Sequence, residues 1–227
     1  MSEWYEELDY DENPFKIEGR TFGFDNLIKE LDYAIQAGNM VLVHGEEGTG
    51  KTKLLKEVIR KYGGFRKVAY VDCKKLDNPN IELLLQKRNG LFGRLFSVKP
   101  KNMIVLLDDI DHLSEKNCER IKYFFDQNYI RSVIFSTKQD QLNFTEGVKQ
   151  RISKTISMKP LSDYEAVQLV REKVGDLLSD YLVKEIYILS NRNLKLFLKN
   201  CEKVAAVALK KKEISKDELQ SIVGDSK

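Results

Sequence analysis

Apolar residues along this 227-residue chain follow two kinds of pattern, and the change falls near Pro160. Before it, short continuous apolar runs alternate with longer stretches of helical period. "MVLV" (Met40 to Val43), "KVAYVDC" (Lys67 to Cys73), the run Met103 to Leu107, "RSVIFST" and "KTISMK" read as five strands. Strands covered on both faces need such unbroken runs, where a half-exposed strand would alternate. Between them, "DNLIKELDYAIQAG" sets Leu27, Ile28, Leu31 and Ala34 on one stripe, with Asp25 as the expected N-cap and Gly38 as the stop. "KTKLLKEVIRKYGG" turns Leu54, Leu55, Val58 and Ile59 inward and ends at Gly63 and Gly64. "IELLLQKRNGLFGRLF" reads as a helix interrupted at Gly90 and Gly93, and "SEKNCERIKYFFDQNY" as a helix capped by Ser114. Strands alternating with helices predict an α/β domain with a parallel sheet and right-handed crossovers.

After Pro160 only helical signals remain. "SDYE" (Ser162 to Glu165) is a capping box that opens a helix with Val167, Val170 and Val174 inward. "LSDYLVKEIYILS" is a second helix. "NLKLFLKNCEKVAAVALKKK" is a third, with Leu194, Phe197, Leu198, Cys201, Val204, Ala205 and Ala208 at helical spacing. "SKDE" (Ser215 to Glu218) predicts another capping box and a short last helix. The expected organisation is an α/β domain over residues 1–158 and a small all-helical domain over residues 159–227.

"HGEEGTGKT" joins the first predicted strand to the helix after it. Gly45, four residues, then Gly50, Lys51 and Thr52 is the spacing of a P-loop, and strand-to-helix is the context that such a loop requires. Glycines let successive backbone N–H groups converge on one anion, and the helix N-terminus adds its positive end. The expected phosphate-binding stretch runs through Gly45, Glu46, Glu47, Gly48, Thr49, Gly50, Lys51, Thr52 and Lys53. In it Lys51 reaches the β- and γ-phosphates and the Thr52 hydroxyl binds Mg²⁺. Glu46 and Glu47, unfavourable beside a polyphosphate, are expected to face solvent. The bland alternative is a glycine-rich surface turn.

A second signal is independent. "MIVLLDD" is an apolar strand ending in two acids, 57 residues beyond Lys51. Asp108 is suited to hold Mg²⁺ through water, and Asp109 to orient an attacking water. Asp111 and His112 are expected to shape the loop.

Composition narrows the class. Charged residues make up 32% and hydrophobic ones 42%, with a net charge of +3, which describes a well-solvated surface around a real core. No apolar run reaches the roughly 20 residues of a membrane span, and the acidic start "MSEWYEELDYDENPF" carries no secretory signal, so the cytoplasm is the expected compartment. Cys73, Cys118 and Cys201 are far apart and form no CxxC pair, and with only two histidines neither a zinc site nor a disulfide framework is expected. The cluster Lys210 to Lys216 reads as a solvated helix end, or as a contact for phosphates or an acidic partner.

Taken together, "ENPF", "GEEGTGKT", "VLLDDIDHL", "SVIFSTKQDQLNF", "VKQRI" and "SNRNLK" resemble the AAA+ ATPases over nearly the whole chain. Within them the pattern is most similar to the initiator group, the origin-recognition type and the ExeA-like transposition and secretion ATPases. The resemblance implies a P-loop NTPase fold with a five-stranded parallel sheet and a small helical lid. It implies ATP and Mg²⁺ as cofactors. Phe15 and Ile17, with Arg20 nearby, resemble the segment that packs on the adenine. Thr137, or else Ser136, resembles sensor 1. Arg151 in "VKQRI" lies where the family carries the arginine finger that acts on a neighbour's nucleotide. Lys195 stands where sensor 2 is normally Arg, with Arg192 as the alternative. Catalytic roles are thus implied for Asp109, Thr137, Arg151 and Lys195.

Three departures qualify the resemblance. The second strand-end acid of the family is often Glu, and Asp109 is one methylene shorter, so slow intrinsic turnover is expected. Lys195 lacks the fork geometry of Arg. A winged-helix domain like that of origin-recognition relatives is not expected beyond the lid, which weakens the case for sequence-specific duplex binding. "NGLFGRLF" (Asn89 to Phe96) lies where relatives touch DNA or substrate, and Phe92, Leu95 and Phe96 serve equally as core residues.

The expected function is an ATPase switch, slow alone and stimulated by partners. It would associate with itself or another AAA+ subunit and act on DNA, as in DNA replication, or on a DNA-acting protein. The alternative is a nucleotide-bound adaptor that recruits a protein and hydrolyses little. A small-molecule kinase is the third reading; the lysine-rich helical tail, in place of an arginine-rich lid, argues against it.

Overall fold

The computed structural model describes residues 3–17, 23–63, 67–75, 101–139, 144–211 and 213–224. The expectations placed on Arg20, on Gly64 and on the interrupted helix with Phe92, Leu95 and Phe96 lie outside them. The chain divides into two compact units. One comprises Phe24–Glu46 and Lys51–Met158; the other comprises Met1–Gly23, Glu47–Gly50 and Lys159–Lys227.

The first unit is α/β. Its strands are β1 (Met40–His44), β2 (Val68–Asp72), β3 (Met103–Asp108), β4 (Ile130–Thr137) and β5 (Ile152–Ser157). They form one sheet in the order β2-β3-β4-β1-β5, and every pair is parallel. Helices α1 (Asp25–Gln36), α2 (Lys51–Tyr62), α3 (Glu115–Asp126) and the single turn α4 (Glu146–Lys149) accompany it. This is the parallel α/β sheet that the alternating pattern predicts, with the five strands that the resemblance to P-loop NTPases implies. β3, between two neighbours, is buried along its whole length, whereas the edge strand β5 is mostly exposed. On one face Ala69, Val71, Val105, Leu107, Val133 and Phe135 meet Cys118 and Ile121 of α3 and Phe144 and Val148. Each fully buried Leu, Ile, Val or Phe there contributes about 1.5–3 kcal/mol.

Several local expectations are adjusted. Helix α1 begins at Asp25 itself; Phe24 is the N-cap and supplies no side-chain bond. β5 starts at Ile152, two residues before the predicted run. Ile35 is buried in α1 beyond the expected stripe. Ser114 caps α3 as expected, accepting from Asn117 N.

The second unit is helical, with α5 (Asp163–Val174), α6 (Asp180–Leu189), α7 (Leu194–Ala208) and α8 (Lys216–Gly224). The Ser162–Glu165 capping box is complete. The box expected at Ser215 is half formed. Ser215 Oγ accepts from Glu218 N at 3.3 Å, while the Glu218 carboxylate takes Lys211 Nζ at 2.8 Å. Burying Tyr187 strands a phenol, and its hydroxyl is satisfied by donation to Leu161 O at 2.9 Å. Its ring packs edge-on against Phe197, 4.8 Å between centroids.

The N-terminal segment belongs to this helical unit. Asn13 accepts from Phe15 N at 3.0 Å and donates to Glu202 Oε1 at 2.7 Å. Lys173, on the inner face of α5 and only 8% exposed, donates to Pro14 O at 2.7 Å and to Ile17 O at 2.9 Å. Two carbonyls of the N-terminal segment are thereby joined to a buried ammonium, which would be costly to bury without such acceptors.

Candidate functional site

Parallel strands end on the same edge of their sheet, and register decides which residues meet there. His44 of β1 lies beside Thr137 of β4, and Asp72 of β2 beside Asp108 of β3. The loop after β1 leaves this edge, and α2 begins at Lys51. Ligands of such sheets bind at the carboxyl ends of the strands, where the strand order reverses; here that is β4-β1.

Lys51 is 7% exposed. Its Nζ donates to Gly45 O at 2.6 Å and to Glu46 O at 2.9 Å, so the ammonium sits within the curve of its own loop. Burial pulls its pKa below the ordinary lysine value, and the charges of Asp109, Asp108 and Asp111 oppose that pull. Gly48 and Gly50 have φ of 85° and 96°, a region where a side chain is strained. Glu46 and Glu47 are exposed, as expected from their charge.

The loop's middle, Glu47–Gly50, groups with the helical unit. There Leu194 N, at the start of α7, donates to Gly48 O at 2.9 Å, and Asn193 Nδ2 donates to Glu47 O at 3.3 Å. A Cβ on Gly48 would lie 2.2 Å from Asn193 Cγ. Asn193 also caps α7, accepting from Leu196 N at 3.1 Å. Sequence reading names Lys195 and Arg192 on either side of this Asn and passes over it.

Asp108 is 2% exposed and is the hub of the α/β unit's polar edge. Its Oδ2 accepts from Thr52 Oγ1 at 2.7 Å and from Tyr70 Oη at 2.8 Å. Its Oδ1 accepts from Ser136 Oγ. Ser136 Oγ in turn accepts from Asp109 N at 3.1 Å. Burial, then the bond to Asp108, raises the Tyr70 phenol well above its ordinary pKa, so it is a donor throughout the physiological range.

Asp109 has φ of 53°, a conformation that Asp tolerates better than most residues. Its Oδ2 lies 2.9 Å from Lys74 Nζ. Thr137 is fully buried, and its hydroxyl donates to Asp111 Oδ1 at 2.8 Å. Lys51, Thr52, Asp108, Asp109, Ser136 and Thr137 therefore converge on one edge. Arg151 is held elsewhere in the unit. Its Nε and Nη2 bond both oxygens of Asp126 at 2.6 and 2.7 Å, and its Nη1 donates to Gly147 O at 2.6 Å.

Tyr70 and Lys74 escape sequence reading. The available signal was a phenol at the period-two position of Asp72 in the otherwise apolar "VAYVD". In the helical unit, Lys195 is exposed at the first turn of α7. Arg192 pairs with Asp163 at 2.9 Å and lies over the Tyr187 ring at 5.4 Å. Phe15 is buried, and Ile17 is 46% exposed.

A family model described as an AAA domain matches residues 37–167, more than half of the chain. The chain belongs to the AAA ATPase family. This AAA protein is similar in fold to the structure of the Aeropyrum pernix Orc1 protein in complex with DNA. The TM-score is 0.72 at 16% identity, over 93% of this chain and 68% of that one. It is also similar to Thermotoga maritima RuvB. One RuvB variant gives a TM-score of 0.65 at 13% identity, over 90% of this chain and 70% of that one. A second gives 0.65 at 14% identity, over 90% and 71%. No curated protein matches the sequence. No helix among the described residues of this AAA protein is long and apolar enough to cross a membrane.

The donor set also bears on the metal. Among the described residues no three His, Cys, Asp or Glu side chains form a group able to hold an ion alone. One hydroxyl hydrogen-bonded to one buried carboxylate, beside the glycine-containing loop, instead suits Mg²⁺, which keeps several waters and takes its remaining ligands from phosphates. The residues present fit a nucleotide-borne Mg²⁺.

Proposed function

We propose that this chain is a Mg²⁺-ATP-dependent AAA+ switch of the initiator type, slow to hydrolyse alone. It works with copies of itself or another AAA+ subunit on DNA or a DNA-acting protein. One observation carries the reading: the Thr52 hydroxyl is bonded to Asp108 at the end of β3, beside the buried Lys51. That hydroxyl's proton is committed to the carboxylate, which leaves its lone pairs for a cation. When bound, Mg²⁺ would neutralise charge on the β- and γ-phosphates. Lys51 would exchange the Gly45 and Glu46 carbonyls for phosphate oxygens, and the amides of Gly45 to Lys53 would line the anion. Asp109 would hold the attacking water, with Thr137 beside it. Phe15 and Ile17 would meet the adenine, and Lys195 or Arg192 would answer to the γ-phosphate. Residues 1–158 would act as the nucleotide-binding domain and residues 159–227 as its lid.

Slow turnover follows from three commitments within the chain. Asp109 is paired with Lys74, Thr137 with Asp111, and Arg151 with Asp126. Arg151 would have to leave Asp126 to reach a neighbour's nucleotide, and fingers of this kind accelerate hydrolysis roughly 10³- to 10⁵-fold. The Orc1 relative's complex with DNA supports DNA, or a protein acting on it, as the partner.

The test is ATP hydrolysis and ATP binding with and without DNA, for the wild type and Arg151→Ala. Stimulated turnover that Arg151→Ala removes, with ATP affinity nearly unchanged, is the expected result. Loss of binding would assign Arg151 to its own site or to the fold. The Lys74–Asp109 pair favours one second reading, a nucleotide-bound adaptor that recruits a protein. Tight ATP binding with background hydrolysis under every condition would select it.

A further inference from the structure

The nucleotide reading uses Thr52 and Asp108 and leaves a third polar group on the same carboxylate unused. Tyr70 projects from β2, where its register partner is Leu106, two residues before Asp108. Its hydroxyl reaches Asp108 Oδ2 at 2.8 Å, the same oxygen that accepts from Thr52 at 2.7 Å. A carboxylate oxygen offers about two acceptor directions, so both on Oδ2 are occupied by hydroxyl protons. Ser136 holds Oδ1. The carboxylate is thereby fixed in rotation, and the proton of Thr52 has one place to go.

Packing does not require that hydroxyl. Phe would fill the same space in β2, and Asp108 would keep two donors. What the phenol adds is direction. With Oδ2 pinned from the β2 side, Thr52 must donate from the other, and its lone pairs face away from Asp108. We infer that Tyr70 is a positioning residue for the divalent cation: it orients Asp108, which orients the Thr52 hydroxyl that binds the metal. The inference rests on the nucleotide reading above.

Such outer groups typically change metal affinity by about 10- to 100-fold when removed. Tyr70→Phe, which deletes one oxygen, is expected at the low end of that range. Mn²⁺ serves as the probe, titrated into the full chain with ADP and followed by electron paramagnetic resonance. Affinity for a fluorescent ADP is measured in parallel in EDTA. The expected result is Mn²⁺ binding weakened roughly 10-fold, with metal-free ADP affinity unchanged. In an Asp108→Asn background the same change should have no further effect, because the group being oriented is gone. Unaltered Mn²⁺ binding in Tyr70→Phe would overturn the inference. So would an equal loss of Mn²⁺ and metal-free ADP affinity, which would make Tyr70 a support of the fold. A wild type that binds no ADP at all would sink the nucleotide reading itself, an outcome distinct from both.

Discussion

Thr52 and Asp108 stand 56 residues apart in sequence, and the hydroxyl of one donates to Oδ2 of the other at 2.7 Å. Thr52→Val keeps the shape of the side chain and removes the donor. The expected effect is loss of the Mg²⁺-dependent part of ATP affinity by roughly 10- to 100-fold, with affinity in EDTA retained. Calorimetric titration in the two buffers checks this. A valine variant that still gains affinity from Mg²⁺ would remove Thr52 from the metal site.

Gly48 and Asn193 are in steric contact. Gly48→Ala meets two obstacles, a φ of 85°, costing about 1–2 kcal/mol for a residue with a Cβ, and the Asn193 side chain 2.2 Å away. Adding Asn193→Ala removes the second obstacle only. The double variant should be more stable than the sum of the singles by about 0.5–3 kcal/mol in urea unfolding. Simple additivity would mean that the contact carries no energy.

Lys173→Met keeps the aliphatic stem and leaves Pro14 O and Ile17 O without their shared donor. Hydrogen bonds from a charged donor contribute about 1.5–3 kcal/mol. A loss near that size in denaturant midpoint is expected, together with faster proteolysis before residue 18. Equal or greater stability would show that the buried charge costs more than its bonds return.

Asp32 takes the Tyr62 hydroxyl, Lys61 at 2.9 Å and Gln36 at 3.0 Å. The Tyr62 bond, then the Lys61 bond, hold its pKa below the ordinary carboxylate value. A carboxyl depressed in the folded state stabilises it fully above the unfolded pKa, about 4, and progressively less as pH falls through the lower folded value. Asp32→Asn should therefore cost about 0.5–1 kcal/mol at neutral pH, as for partly exposed pairs. The cost should shrink as the solution is acidified toward and below pH ~4. Melting curves of both proteins across that range test the sign; a gap that widens in acid would refute it.

Much of the fold is legible in sequence because it depends on local period. Unbroken apolar runs such as Met103 to Leu107 are what strands covered on both faces require, and the glycines ahead of Lys51 suit a tight strand-to-helix turn. Ser114 and Ser162 announce their helices because capping is completed within three or four residues. Where the local signal was weaker, the reading slipped: Asp25 is the first residue of its helix and Phe24 holds the cap position, and Glu218 finds Lys211 in place of its own backbone.

What periodicity determined, then, was the order of strands and helices, the parallel sheet, and the loop and acids at its strand ends. The tertiary structure decided their company: Tyr70 and Ser136 on Asp108, Lys74 on Asp109, Asp111 on Thr137, Asp126 on Arg151, and Lys173 beneath the N-terminal segment. Each of those pairs depends on register between strands or on packing between distant segments. Neither is written in the spacing of residues along a single stretch of chain.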